Sequence, residues 1–180
     1  MRLLSSGDKS FVDNWNNILA DCASNTVFIT PNWQEIWWNR FGDGQQIYLK
    51  QILNDSVSIG IVPLMLNEKL LTFIGDSNLY DYMDFPHRKG NESLFFESLW
   101  EFVLPLDWEV MRLESIPEDS ATLKYLKNMA INDGYEVDSI ESDKTPFLEL
   151  PSSWDDYLSQ LRKKDRHELR RKIRRLENNG

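Results

Sequence analysis

The sequence has one cysteine, two histidines and no long apolar run. Cys22 has no second cysteine to pair with, which excludes a disulfide within the chain and a zinc site built from cysteines. No apolar stretch approaches the roughly 20 residues that a membrane-spanning helix needs. Residues 1–8 do not have the pattern of a signal peptide, because Asp8 precedes any apolar segment. We therefore expect a chain without a transmembrane segment in a reducing, cytoplasmic setting.

Motifs for nucleophilic, metal or phosphate chemistry are also missing. Neither His87 nor His167 accompanies a nucleophile motif, so the sequence predicts no Ser-His-Asp triad and no metal site. Among eight glycines, only Gly42 and Gly44 form a G-x-G. They follow a predicted helix, which is typical of a helix end rather than a phosphate cradle. We therefore expect this chain to bind no cofactor by itself, and the sequence does not identify catalytic residues.

The composition predicts a folded domain with an uneven charge. The 180 residues are 41% hydrophobic and 12% aromatic, which is enough for a core. Residues 162–177 carry nine Lys or Arg and three acids, a net charge of +6. Since the whole chain has a formal charge of −9, the remainder carries −15. An acidic body is thus followed by a basic segment.

The order of predicted elements indicates an α/β (α+β) fold with a mixed, mostly antiparallel sheet flanked by helices. Helices are expected near 8–22, from Thr30-Pro31 to Gly42, near 91–103 and over 121–132, and the stripe Trp33, Trp37 and Phe41 is expected in the core. Predicted strands lie at 46–53, 57–66, 70–74, 108–114, 135–140 and 146–150. This pattern favours one sheet of about six or seven strands with helices on both faces.

The C-terminal segment predicts a helical extension. Ser153 to Asp156 and Asp165 to Glu168 both have the pattern of a capping box, which indicates two helices in series or one bent helix. We expect a domain over 1–151 and a helical connector over 152–180. The apolar stripe Leu169, Ile173 and Leu176 is expected to pack against another surface.

The loop over 76–85 is the best candidate site in the sequence. It follows a predicted strand, where loops commonly carry function, and its carboxylates could hold an acceptor amine or act as a base. The predicted substrate-binding residues are Tyr80, Asp81, Tyr82 and Asp84. The alternative is turn chemistry, in which Asp and Asn bond their own backbone while the aromatic rings pack below.

The basic segment has several interpretations. Its side chains could contact phosphates of nucleic acid, an anionic membrane surface or a donor, or they could belong to a solvated connecting helix. The acidic remainder would repel a polyanion, which argues against nucleic acid. The residues assigned to phosphate or partner contact are Lys163, Arg166, Arg170 and Arg174.

An ordered series of motifs resembles the N-terminal half of Fem-type and CelD-type acyltransferases, which have a duplicated GNAT fold. The motifs are TPNW at 30–33, WWNRFG at 37–42, IGIVPL at 59–64, FIG at 73–75, DYMDF at 81–85, LESIPE at 113–118, PFL at 146–148, SWDDYL at 153–158 and the basic ending at 161–177. The resemblance covers nearly the whole chain, and the ending is its most specific part.

The resemblance implies an N-acyl or aminoacyl transfer to an amine-bearing acceptor. The donor, acyl-CoA or aminoacyl-tRNA, would bind mainly on a second GNAT half, and this chain would form the acceptor side. The implied partner is that second half or another copy of the chain. The alternative function is a non-catalytic GNAT-like module that contacts protein or tRNA, and a purely structural half is a third possibility.

Overall fold

The computed structural model describes residues 9–146 and 148–179, in two compact units, Met1–Ile140 and Glu141–Gly180. The first unit carries the sheet with four α-helices, and the second carries two further helices, counted over the described residues. The combination of helices with a mostly antiparallel sheet confirms the predicted mixed fold class. The predicted helix start at residue 8 and Phe147 of the last predicted strand lie outside the described residues.

The sheet has the order β1-β2-β3-β4. Its strands are β1 (Gln46–Asn54), β2 (Val57–Asn67), β3 (Leu70–Phe73) and β4 (Val110–Arg112). The first three strands pair antiparallel through short turns, whereas β3 and β4 are parallel. A parallel pair needs a long crossover, and here a loop and a helix connect the two strands.

Helices precede the sheet and cross between its last strands. They are α1 (Lys9–Leu19), a 3-10 turn (Val27–Ile29), α2 (Pro31–Phe41), α3 (Glu92–Val103) and α4 (Ala121–Asn132). The predicted cap of α2 is confirmed, because the Thr30 side chain accepts a hydrogen bond from the Trp33 N–H and Pro31 occupies the first turn.

Both faces of β2 are covered, as the predicted layering requires. Strand residues alternate between the two faces. A Cβ added to Gly60 would lie 2.2 Å from the Phe95 ring of α3, so this face of β2 contacts α3. Ile61 points the other way and belongs to a buried cluster with Trp15 of α1. Nine of the eleven β2 residues are buried for this reason.

Three sequence predictions about the first unit and the segment after it need correction. No strand follows β4 in the described residues, so those predicted at 135–140 and 146–150 are wrong, and the sheet there has four strands instead of the six or seven predicted. Apolar residues there do not line a sheet, since Ile140 is 86% exposed and Leu150 is 81% exposed. The aromatic stripe of α2 is also only partly buried: Trp37 lies in the core but Phe41 is exposed, and Trp38 is buried instead.

The second unit contains the two helices that the sequence predicted in series. They are α5 (Trp154–Gln160) and α6 (Lys163–Asn179). Ser153 caps α5 by accepting a hydrogen bond from the Asp156 N–H at 3.1 Å, as predicted. The second predicted cap is wrong, because α6 already begins at Lys163, and the Asp165 carboxylate accepts a 2.7 Å hydrogen bond from Arg162.

Candidate functional site

A cavity of about 180 Å³ lies along β3, between the end of β4 and the segment that enters β1. Its lining includes six polar residues, of which two are acids and one is an arginine. They are Gln45, Asn67, Thr72, Asp76, Arg112 and Glu114. Oppositely charged side chains from β4 and from the segments after β3 and β4 therefore line one cavity of the first unit.

Strand register explains why these side chains converge. Met65 pairs with Thr72, and Thr72 pairs with Arg112, so one row of side chains crosses β2, β3 and β4 on the same face. Because β3 and β4 are parallel, their carboxyl ends meet at one edge of the sheet. The residues that follow them, Asp76 and Glu114, therefore lie at the same cavity.

Asp76 is fixed in position by two hydrogen bonds. Its Oδ2 accepts from the Trp37 Nε1–H at 2.8 Å, and its Oδ1 accepts from the Asn78 N–H at 3.0 Å. Trp37 is buried in α2, so a helix that packs on the first unit's core holds this carboxylate. The carboxylate still has lone pairs for a further donor, since each ionised carboxylate can accept about four hydrogen bonds.

Tyr80 packs beneath the start of the loop rather than into the cavity lining. Its side chain is 1% exposed, and its ring contacts Phe28 and Trp33. Gly75 has a φ of 143°, and a Cβ there would lie 2.8 Å from the Tyr80 ring, so the turn requires glycine. The phenol oxygen has no hydrogen-bond partner in the described residues. Burial raises the pKa of the Tyr80 phenol above its ordinary value, and the Asp76 charge adds to the rise.

Asp84 lies in the interior with a complete set of hydrogen bonds. It is 2% exposed. Oδ2 accepts from the Ser24 and Ser120 hydroxyls, both at 2.7 Å, and Oδ1 accepts from the Thr122 hydroxyl at 2.6 Å and the Phe85 N–H at 2.9 Å. These four donors fill the hydrogen-bonding capacity of the carboxylate. Because the carboxylate is buried, an acceptor amine has no access to it. The structure therefore ties Asp84 to the turn that begins α4.

The other two predicted loop residues also lie outside the cavity lining. Asp81 is exposed and Tyr82 is half-buried, and neither lines the cavity. Of the predicted loop 76–85, Asp76 and Met83 line it. The loop thus combines the two interpretations of the sequence: aromatic packing and turn chemistry at Tyr80 and Asp84, and an accessible carboxylate at Asp76.

The basic residues assigned to partner contact lie on α6, in the second unit. Lys163 and Arg170 pair with no carboxylate in the described residues, while Arg166 and Arg174 reach the backbone oxygens of Leu158 and Arg170 at 3.5 and 3.4 Å. Neighbouring positions do form ion pairs within the helix. The Arg171 guanidinium donates two hydrogen bonds to Glu168, which lowers the pKa of that carboxyl and raises the pKa of the arginine.

Acidic side chains lie at the N-termini of the two helices beside the sheet. At α3, the Glu92 carboxylate accepts the Gly90 N–H at 2.9 Å, which holds the pKa of this carboxyl below its ordinary value. At α4, the Asp84 carboxylate accepts hydrogen bonds from the hydroxyls of Ser120 and Thr122. A negatively charged side chain at a helix N-terminus is stabilised by the helix dipole.

Three cavity residues, Gln45, Arg112 and Glu114, were not among the predicted site residues. A usable signal existed for two of them, because Arg112 and Glu114 alternate at the end of the predicted strand 108–114 and so share one side. The parallel pairing of β3 with β4 could not be read from the sequence, and that pairing brings them beside Asp76.

Comparisons of the chain with protein-family models, curated proteins and solved structures find no match. Across residues 9–146 and 148–179, no helix is long and apolar enough to cross a bilayer. The same residues contain no group of three or more His, Cys, Asp or Glu side chains placed to hold a metal ion.

Proposed function

We propose that this chain forms the acceptor side of an N-acyltransferase of the GNAT type, and that its cavity binds the acceptor amine. One observation carries the proposal: Asp76 and Glu114 bring two carboxylates to one open cavity at the sheet edge. A protonated amine is attracted to two carboxylates and donates hydrogen bonds to them. The sequence motifs that resemble Fem-type and CelD-type enzymes support the same function.

The site favours amine binding over the other steps of acyl transfer. Asp76 is held by Trp37 and Asn78, so it is positioned before the amine arrives, and this lowers the entropic cost of binding. The acidic side chains at the N-termini of α3 and α4 disfavour the pyrophosphate of a coenzyme there, which supports this division of roles. In this proposal the acyl-CoA or aminoacyl-tRNA binds a second GNAT half or another copy of the chain, in the cytoplasm.

The test is to express this chain with the product of the adjoining coding sequence and to follow acyl transfer to primary amines by mass spectrometry. We expect Asp76→Asn and Glu114→Gln to raise the KM for the amine at least about tenfold, with the KM for the donor unchanged. Glu109→Gln is the matched control, since Glu109 is exposed near β4 but does not line the cavity. Absence of transfer, or variants with an unchanged amine KM, would refute the proposal.

A second candidate function rests on α6. Lys163, Arg166, Arg170 and Arg174 form no ion pair with a carboxylate in the described residues, so their charge is open to a polyanion such as tRNA. The chain would then be a non-catalytic binding module. Filter binding of tRNA that weakens steeply with salt, and that is lost on Arg170→Glu with Arg174→Glu, would favour this candidate over the first.

A further inference from the structure

Opposite charges line the same cavity without pairing to each other. No carboxylate oxygen in the described residues lies within 4.0 Å of a guanidinium nitrogen of Arg112, and this side chain makes no hydrogen bond there. Glu114 accepts one long hydrogen bond, at 3.4 Å, from the Ser77 hydroxyl. Asp76 accepts from Trp37 and Asn78 and pairs with no cation in the described residues. The cavity therefore keeps its positive and negative groups apart.

The two carboxylates at the cavity favour a cationic occupant. Asp76 and Glu114 both line it, and each ionised carboxylate can accept further hydrogen bonds beyond those that it already accepts. An ammonium offers three N–H donors, so it can donate to both carboxylates. Gln45 also lines the cavity, but its Oε1 is buried without a hydrogen-bond partner in the described residues and is not accessible to an occupant.

The arginine of the lining has the opposite preference to the carboxylates. The guanidinium of Arg112 offers a fork of N–H donors that matches a carboxylate with two parallel hydrogen bonds. A ligand that carries an ammonium at one end and a carboxylate at the other would satisfy both parts of the lining. A simple amine would leave Arg112 unpaired, and a simple acid would face two carboxylates.

The volume limits the size of this ligand. The cavity measures about 180 Å³. A cavity of about 150 Å³ holds a benzene ring, whereas drug-sized ligands need about 300–1,000 Å³. The space fits a small amino acid or the amino-acid end of a larger acceptor.

We infer that the cavity binds the α-amino-acid class of ligand, with Arg112 holding the carboxylate and with Asp76 and Glu114 holding the ammonium. This inference rests on the proposed function, because the bound amine is the acceptor of acyl transfer. It adds Arg112 as a second group that recognises the acceptor. Arg112 acts as a specificity residue: it selects acceptors that have a carboxylate near the amine.

Three probes of nearly the same size test the inference on the whole chain. L-alanine carries both groups, ethylamine lacks the carboxylate, and propanoate lacks the amine. Titrations followed by ¹H–¹⁵N NMR give the dissociation constants. We expect L-alanine to bind at least about tenfold more tightly than ethylamine, with propanoate the weakest. The residues that shift should include the backbone amides around Thr72, Asp76 and Arg112.

Variants then assign the carboxylate to Arg112. Arg112→Gln should weaken L-alanine binding and abolish its preference over ethylamine, whereas ethylamine binding should not weaken, because the variant removes a positive charge from the cavity. Arg112→Lys should restore part of the preference, because it keeps the charge without the fork. Arg40→Gln is the control, since Arg40 is an exposed arginine of α2 that does not line the cavity. If Arg112→Gln does not fold, the order of the three dissociation constants on the natural chain still tests the inference.

The possible results separate this inference from the proposed function. Equal binding of ethylamine and L-alanine, unchanged by Arg112→Gln, overturns the inference and leaves the amine site standing. Binding of propanoate as tight as that of L-alanine, without binding of ethylamine, overturns both. Absence of saturable binding by all three probes also overturns both.

Discussion

Replacing Asp84 with alanine removes the acceptor of four hydrogen bonds from the interior of the first unit. Three of these bonds join positions far apart in the chain: Ser24 lies 60 residues away, and Ser120 and Thr122 lie 36 and 38 residues away. The carboxylate thus connects the segment after α1, the loop after β3 and the first turn of α4. Its loss acts on the tertiary structure and not only on one turn.

The expected cost follows from the groups left unsatisfied. A buried donor without a partner costs about 1–3 kcal/mol. Asp84→Ala leaves three hydroxyls and the Phe85 N–H without an acceptor. Even at the lower bound for each donor, the loss of stability is about 4 kcal/mol. Rotation of the hydroxyls and entry of water reduce the cost, and the cavity left by the side chain raises it. We expect a loss near 4 kcal/mol, a large part of the roughly 5–15 kcal/mol that stabilises a domain.

Urea unfolding followed by tryptophan fluorescence measures this loss. Thr122→Val is a near-isosteric variant that removes one donor, and we expect it to cost about 1–2 kcal/mol. Ser24→Ala should have a similar effect. Ser120→Ala is a less clean probe, because the Ser120 hydroxyl also accepts the Thr122 N–H as the cap of α4.

Asp81→Ala is the matched control for Asp84→Ala. It removes a carboxylate from the same loop, but Asp81 is exposed, and we expect a change below about 0.5 kcal/mol. Non-additive losses in the Ser24→Ala and Thr122→Val pair would report their shared acceptor. A loss below about 1 kcal/mol for Asp84→Ala would refute the argument that this carboxylate stabilises the fold.

Three further predictions concern other buried or capping groups. Tyr80→Phe should be neutral or stabilising by up to about 1 kcal/mol in urea unfolding, because it removes a buried hydroxyl without a partner in the described residues, and a clear destabilisation would contradict this. In an absorbance titration, Tyr80 should stay protonated at pH values where exposed tyrosines ionise, since its pKa is raised. Gly60→Ala should cost about 1–3 kcal/mol in the same assay, because the new methyl would lie 2.2 Å from the Phe95 ring, and an unchanged midpoint would contradict it. Glu92→Gln should cost about 0.5 kcal/mol at pH 7, because the pKa of Glu92 is lowered in the fold by the Gly90 N–H. This difference should begin to fall near the ordinary carboxyl value of 4.5 and should be lost once the pH is below the lowered pKa of the folded state; a difference that persists there would contradict the assignment.

Local signals in the sequence were enough for the helices of the first unit and for the first two strands. Thr30-Pro31 and Ser153 predicted helix starts correctly, because a cap acts through hydrogen bonds within one turn. The β-branched residues of 57–66 predicted the strand that became β2, since they too act locally. The helical, basic nature of 163–179 was also readable, although its start was placed at Asp165 instead of Lys163.

The late strands and the site depended on contacts between distant residues. A strand near 135–140 would need a neighbour to pair with, and periodicity does not supply one. Burial separated the loop acids in the same way: Asp84 became an interior acceptor, while Asp76 stayed open to the cavity. Only the parallel pairing of β3 with β4 placed Arg112 and Glu114 beside Asp76, because register between strands is set by the packing of the whole sheet.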